Sequence, residues 1–275
     1  MEMRQPTGAI TYSISRMDLQ LTGKVALVTG STAGIGYGIA AALAREGAAV
    51  IINGRTPGAV DAALAKLGVE TARGFAGDLS TDAAAQTVAR QFPDVEILVN
   101  NLGIFESKPF EDIPDADWRR LFEVNVLSGV RLARLYLPRM KAADWGRIIF
   151  ISSESAVQIP AEMIHYGTTK TAQLAVSRGL AEAVAGTGIT VNSVLPGPTR
   201  SRGVVDFVDA LARTQGVSAA QVERDFFKNT RPTSLIKRFA TPEEVAQVVA
   251  WCALDAPPSM TGAILDVNGA SYLRS

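Results

Sequence analysis

Tyr166 and Lys170 stand four residues apart in a stretch of helical composition, Met163 to Val184. Residues at that spacing share one helix face, so a phenol and an ammonium can be neighbours. An isolated tyrosine has a pKa of about 10 and is a weak base near neutrality. A close ammonium favours the phenolate, and a shift of about three units corresponds to about 4 kcal/mol of differential interaction. Such a pair can give a proton to a reacting oxygen or take one from it. Alone, the spacing is a common chance pattern. Ser153 adds to it, because it lies 13 residues before Tyr166 and just past the apolar run Ile148-Ile149-Phe150-Ile151. A hydroxyl at that strand end and the phenol can both grip one carbonyl oxygen as it becomes an alkoxide.

A second group of residues has binding chemistry. Thr29-Gly30-Ser31-Thr32-Ala33-Gly34-Ile35-Gly36 follows the apolar run Val25 to Val28 and opens a helical stretch. Glycines there let the backbone turn sharply and approach a pyrophosphate. The helix start adds N–H groups and the positive end of its dipole. The alternative is a plain glycine-rich turn. After the second apolar run comes Asn53-Gly54-Arg55, with no acid to meet a free ribose 2′-hydroxyl. The planar, permanently charged fork of Arg55 suits a 2′-phosphate. This favours NADP(H), with NAD(H) as the alternative and a solvated loop arginine as the bland reading. Thr32 and Ala33 are neutral, so the loop offers no second basic group.

These residues need a frame. Short β-branched runs alternate with longer Ala/Leu-rich runs. Strands are expected at 25–28, 50–52, 74–76, 97–99, 147–151, 189–194 and 263–267. Helices are expected at 35–45, 57–67, from a Ser80 cap to 91, 118–140, 163–184 and 243–253. Runs that are apolar throughout mark strands buried on both faces, and the alternation implies parallel pairing with right-handed crossovers. The expectation is an α/β chain: a Rossmann-type doubly wound seven-stranded parallel sheet with helices on both faces, in a single domain over residues 18–275. Residues 1–17 are weakly patterned and read as an N-terminal extension, with Met17 a plausible natural start. Arg200 to Arg238 breaks the rhythm and is either a lid over the sheet edge or a structural helical insertion.

Composition narrows the function. The 275 residues hold 27 Lys+Arg and 27 Asp+Glu, a balance that argues against a nucleic-acid partner. No apolar run reaches the roughly 18 residues of a membrane span. One cysteine, Cys252, and one histidine, His165, leave no disulfide framework and argue against a metal site, which fits a reducing, cytoplasmic setting.

Thr29 to Gly36, Asn100-Asn101-Leu102-Gly103, Ser153, Tyr166-Gly-Thr-Thr-Lys170 and Pro196-Gly197 resemble, in order and spacing, the short-chain dehydrogenases/reductases. The pattern is most similar to the branch with 3-oxoacyl-carrier-protein reductases and sugar or polyol dehydrogenases. The resemblance spans about Leu21 to Gly269. It implies NAD(P)(H)-dependent interconversion of an alcohol and a ketone. Ser153 would orient the carbonyl, Tyr166 would act as acid/base, and Lys170 would lower its pKa and hold the nicotinamide ribose. It implies Asn125 as the fourth catalytic residue; the alternative is a simple buried amide–backbone bond. It implies cofactor contacts from Asp78 and Leu79, from Asn101 and Gly103, and from Pro196, Gly197, Thr199 and Ser201. It also implies a homodimer or homotetramer through the helices at 118–140 and 163–184. Leu102 and Asn268-Gly269-Ala270 depart from the family's usual residues without removing a reacting group.

Two other readings stand beside this one. A dinucleotide-binding or redox-sensing protein without catalysis would keep the fold but not need the Ser153, Tyr166 and Lys170 set. A hydrolase would need His165 as its base, and no Gly-x-Ser-x-Gly elbow surrounds Ser153; His165 reads instead as a cleft-wall or helix-start residue. Substrate choice is expected in 154–164 and 204–238, with Phe105, Gln158, Met163 and Phe207 as pocket walls. The apolar character of the second segment favours a hydrophobic or acyl substrate over a bare sugar.

Overall fold

Seven runs become strands: β1 (Val25–Val28), β2 (Ala49–Gly54), β3 (Arg73–Ala76), β4 (Ile97–Asn100), β5 (Gly146–Ile151), β6 (Ile189–Pro196) and β7 (Ile264–Val267). They pair in parallel in the order β3-β2-β1-β4-β5-β6-β7. The computed structural model describes residues 18–254 and 259–272; the extension expected over 1–17, with Met17, lies outside them.

Successive strand residues point to opposite faces, and β5 shows what that does. Ile149 and Ile151 join one apolar layer, while Ile148 and Phe150 join the other. Helices cover both faces. α1 (Gly34–Arg45) and α2 (Pro57–Leu67) share the first layer, where Ile39 and Leu43 pack with Val245 and Val249 of a C-terminal helix, Pro242–Cys252. α3 (Asp82–Gln91) takes the second layer. There Leu132 and Tyr136 come from α5 (Ser128–Ala143), and Ala181 from α6 (Ile164–Ala183). Each fully buried Ile or Leu contributes about 1.5–3 kcal/mol.

Three expectations change in detail. Thr81, not Ser80, caps α3, accepting from Ala84 N at 3.3 Å; Ser80 turns inward and donates to Asp78 Oδ1 at 2.7 Å. The helix expected over 118–140 is two, α4 (Asp115–Phe122) and α5, joined by a π-helical turn at Glu123–Leu127. The segment from Arg200 to Arg238 forms α7 (Arg202–Gln215), α8 (Ala219–Asp225) and a second π turn, Phe226–Thr230. Val208, Ala212, Val222 and Phe227 close a small core of their own with Phe239. The segment therefore has internal packing and is more than a surface loop. The helix Pro242–Cys252 is α9, and Thr241 with Glu244 forms a capping box at its start.

Candidate active site

The parallel order reverses beside β1, where β1 leads to β2 on one side and β4 lies on the other. A crevice opens at such a switch point beyond the carboxyl ends of the strands. The glycine loop enters it from β1. Gly30 sits at φ +60, a backbone region that L side chains rarely adopt. A Cβ at Gly36 would lie 2.5 Å from both Gly30 O and Asn101 Nδ2, so only glycine lets the loop close this tightly. Ala33 is the N-cap of α1 with no side-chain cap, and the first turn carries no acid. Those amides are left for an anion.

Several expected cofactor residues shape this loop. Asn101 Nδ2 donates to Thr29 O and Gly30 O at 2.9 and 3.1 Å. Asn53 is buried; its Oδ1 accepts from Gly30 N at 3.0 Å and its Nδ2 donates to Phe75 O and Gly77 O. Ser31 is buried too, donating to Val28 O at 2.6 Å and accepting from Asn53 N. Asn53 and Ser31 thus hold the loop with their side chains, and the Leu79 side chain lies in the core rather than in the crevice. Ile35 lines the cleft and Thr32 packs beside Gly54. Arg55 is exposed at the end of β2 and pairs with no acid among the described residues. Asp78 is exposed, its Oδ1 accepting from Ser80. Pro196, Gly197, Thr199, Ser201 and Gly34 lie on the opposite wall or close to it: the first four line the cleft, and a Cβ at Gly34 would meet Ser201.

The chemistry gathers at the ends of β5 and α6. Ser152 Oγ donates to Lys170 O at 2.9 Å and Thr171 Oγ1 donates to Ala156 O at 2.8 Å, tying the turn after β5 to α6. This brings Ser153 and Tyr166 to the same cleft, where the serine hydroxyl acts to lower the phenol's pKa. Lys170 Nζ lies 5.6 Å from the Tyr166 ring centre. It donates to Ile151 O at 3.0 Å and Gln173 Oε1 at 3.2 Å. A Cβ at Gly103 would lie 3.4 Å from Lys170 Nζ and 3.6 Å from Asn125 Oδ1, so these three converge.

Asn125 sits in the first π turn. Its Oδ1 accepts from Ile104 N at 2.8 Å, and its Nδ2 donates to Ile104 O and Thr169 Oγ1. Its side chain is the buried amide–backbone tie. Its backbone oxygen accepts from Gln173 Nε2 at 2.5 Å. The π turn thus leaves this oxygen to a side chain outside its own helix, a use such turns often have.

Burial pushes the Lys170 ammonium down to about 7. Burial also raises Tyr166; the Ser153 hydrogen bond lowers it, and the negative Glu154 raises it. Tyr166 keeps its proton at neutral pH and is a proton donor.

Sequence reading singled out neither Gln173, one helical turn past Lys170, nor the pair Glu154 and Arg231. Glu154 is buried directly after Ser153, and its Oε1 accepts from Arg231 Nε at 2.8 Å. Phe105 and Met163 line the cleft of about 270 Å³, whereas Gln158 and Phe207 are exposed and do not. His165 is fully buried in the first turn of α6, and neither ring nitrogen has a hydrogen-bond partner among the described residues. It makes no pair with Ser153, so the hydrolase arrangement is not formed.

The pattern that describes the short chain dehydrogenases matches residues 24–211. The chain is 48% identical over 257 residues to the uncharacterized oxidoreductase YvrD of Bacillus subtilis (strain 168), covering 92% of this chain and 98% of that protein. It is 35% identical to the D-beta-hydroxybutyrate dehydrogenase of Cupriavidus necator, covering 90% and 98%. The crystal structure of L-sorbose reductase from Gluconobacter frateurii, complexed with NADPH and L-sorbose, superposes with a TM-score of 0.86 at 30% identity, covering 94% of this chain and all of that one.

Proposed function

Since the chain belongs to the short-chain dehydrogenase/reductase family, we propose that it interconverts a secondary alcohol and a ketone with NADP(H), using Tyr166 as the acid/base. The observation that carries this is the meeting of Ser153, Tyr166 and Lys170 in one crevice, with Lys170 Nζ 5.6 Å from the Tyr166 ring centre. The crevice residues fit a dinucleotide. The uncapped, acid-free start of α1 suits a pyrophosphate, and the Gly36 cradle would be filled by any Cβ. Arg55, exposed where β2 ends, would suit a 2′-phosphate, and the solved L-sorbose reductase holds NADPH.

The bound nicotinamide would supply the hydride in reduction and accept it in oxidation. The protein's own residues do the rest. Ser153 and Tyr166 hold the substrate oxygen. In reduction the Tyr166 hydroxyl gives its proton to that oxygen as negative charge develops. The Lys170 ammonium stabilises the phenolate left behind. Gln173 and the Asn125 carbonyl keep Lys170 in place. In oxidation the Tyr166 hydroxyl must first give its proton up to solvent, and the phenolate, held by the Lys170 ammonium, then takes the substrate hydroxyl's proton.

The test is Tyr166→Phe assayed by NADPH absorbance with ketones and by NADP reduction with alcohols. Turnover is expected to vanish while NADPH binding persists; full turnover in the variant sinks the assignment. We expect a homodimer or homotetramer through α5 and α6, whose Val130, Leu137, Val176 and Leu180 leave an apolar groove half-exposed. Sedimentation of the purified chain as a monomer would remove that expectation.

A further inference from the structure

The wall of the cleft beside Ser153 holds an acceptor with nothing to accept. Glu154 has a side chain only 4% exposed, and Arg231 is 15% exposed. Oε1 of Glu154 takes the Arg231 Nε hydrogen bond, while Oε2 has no partner among the described residues. A buried carboxylate oxygen left in this state is costly, so it calls for a donor that the described residues do not supply. Both residues line the same cleft as Tyr166 and Ser153. Glu154 is the next residue after Ser153, and its charge reaches the Tyr166 phenol. Glu154 thus lines the same cleft as the two residues proposed to hold the reacting carbonyl.

Arg231 arrives from far away in the sequence, directly after the second π turn. Its Nε is bound to Glu154 and its Nη1 donates to Thr230 O at 3.0 Å, which leaves Nη2 as the donor it can turn to a ligand. The wall thus presents one acceptor and one donor with their charges already paired. A substrate carboxylate would face the unpartnered oxygen of Glu154 and be repelled. A plain aliphatic ketone would leave that oxygen unsatisfied. A neutral hydroxylated ketone fits both: one hydroxyl donates to Glu154 Oε2, and a second oxygen accepts from Arg231. Ile104, Phe105, Met163 and Val204 supply apolar surface for its carbon chain. Pockets built this way use few polar groups to fix orientation.

Resting on the hydride-transfer reading above, we propose that Glu154 and Arg231 form a hydroxyl-recognition subsite, and that the substrate is a neutral polyhydroxylated ketone or its polyol.

The experiment compares erythrulose, butanone and acetoacetate as oxidants of NADPH with the purified full-length chain. The three share a four-carbon chain and differ in carrying hydroxyls, nothing, or a carboxylate. Both erythrulose enantiomers are used. The expected result is a kcat/KM for one erythrulose enantiomer about 100-fold or more above butanone and acetoacetate, since a site built to hydrogen-bond a hydroxyl rejects analogues that lack it. Glu154→Gln keeps the shape; its amide oxygen stays with Arg231, and its NH2 replaces the Oε2 acceptor by a donor. In that variant the erythrulose-to-butanone ratio is expected to fall by about 10–100-fold. Wild-type kcat/KM for butanone or acetoacetate equal to or above that for erythrulose overturns the subsite and leaves hydride transfer standing, whether or not the variant folds. An unchanged ratio in a folded Glu154→Gln does the same. No NADPH consumption with any of the three, and no NADP reduction with the matching alcohols, sinks the hydride-transfer reading itself and the subsite with it.

Discussion

Gln173 bridges Lys170 to Asn125, accepting from the ammonium at 3.2 Å and donating to the backbone oxygen in the π turn at 2.5 Å. One amide thus ties Lys170 to the π turn opposite. The consequence can be measured. Gln173→Leu removes an acceptor from the ammonium, which favours the amine and lowers the Lys170 pKa further. The alkaline limb of kcat/KM for ketone reduction is expected to move to lower pH, with activity at pH 7 down about 10-fold. Gln173→Glu places a negative charge there and moves the limb upward. A role in packing alone would lower the thermal midpoint and leave both limbs where they are.

Lys170 also ties stability to pH. Its pKa is about 7 in the folded protein against 10.5 for the ordinary side chain. Between those values the unfolded chain holds a proton that the folded chain gives up. Stability therefore rises with pH through this window, by up to about 1.4 kcal/mol per pH unit from this group. Lys170→Met removes the titration and keeps the bulk. Urea unfolding of both proteins between pH of about 7 and 9 is expected to give a slope in the wild type that the variant lacks. Parallel stability curves would show that Lys170 stays charged in the fold.

What could be read from the sequence follows from how local each feature is. The sheet was legible because β1 and the stretches Ile97 to Val99 of β4 and Ile148 to Ile151 of β5 lie between two apolar layers and are written as unbroken apolar runs. Ser153, Tyr166 and Lys170 were legible because a strand end and a helix face fix their meeting. The π turn at Glu123–Leu127 was not, because its register depends on partners far along the chain: Ile104 and Thr169 on the Asn125 side chain, Gln173 on its carbonyl. Ser80 and Thr81 are both competent caps, and only the Asp78 turn decides between them. The Glu154–Arg231 pair spans 77 residues and two layers of structure; no spacing rule reaches that far. The same holds for Asn53, expected at the cofactor and found engaged in holding Gly30.

Gly36 tests how closely the loop must fit. A methyl there meets Gly30 O and Asn101 Nδ2 at 2.5 Å and the Ser31 Cα at 3.0 Å; two of the three are backbone, and the Asn101 amide is held by its bonds to Thr29 O and Gly30 O. Gly36→Ala must displace the loop from Asn101 or the start of α1. Overpacking of this kind costs about 1–3 kcal/mol. The expected outcome is a lower unfolding midpoint with NADPH affinity weakened by about 10-fold or more, read by fluorescence titration. Wild-type affinity in this variant would mean that the loop adjusts freely and that the close approach has no part in binding.

Arg55 is where the choice between the two cofactors can be tested. It stands exposed where β2 ends, unpaired with any acid among the described residues, and no carboxylate occupies that strand end. A guanidinium on a phosphate makes charge-assisted hydrogen bonds worth about 1.5–3 kcal/mol, or about 10–100-fold in affinity. Arg55→Ala is expected to weaken NADPH by that factor and leave NADH nearly unchanged, because NADH has no group there for the arginine to hold. Arg55→Asp goes further: the new carboxylate repels the 2′-phosphate and can accept from a ribose 2′-hydroxyl, so the preference is expected to turn toward NADH. Dissociation constants for both cofactors on all three proteins decide the matter. Equal losses for NADPH and NADH in Arg55→Ala would place the arginine elsewhere than at the 2′ position and remove the basis for preferring NADP(H).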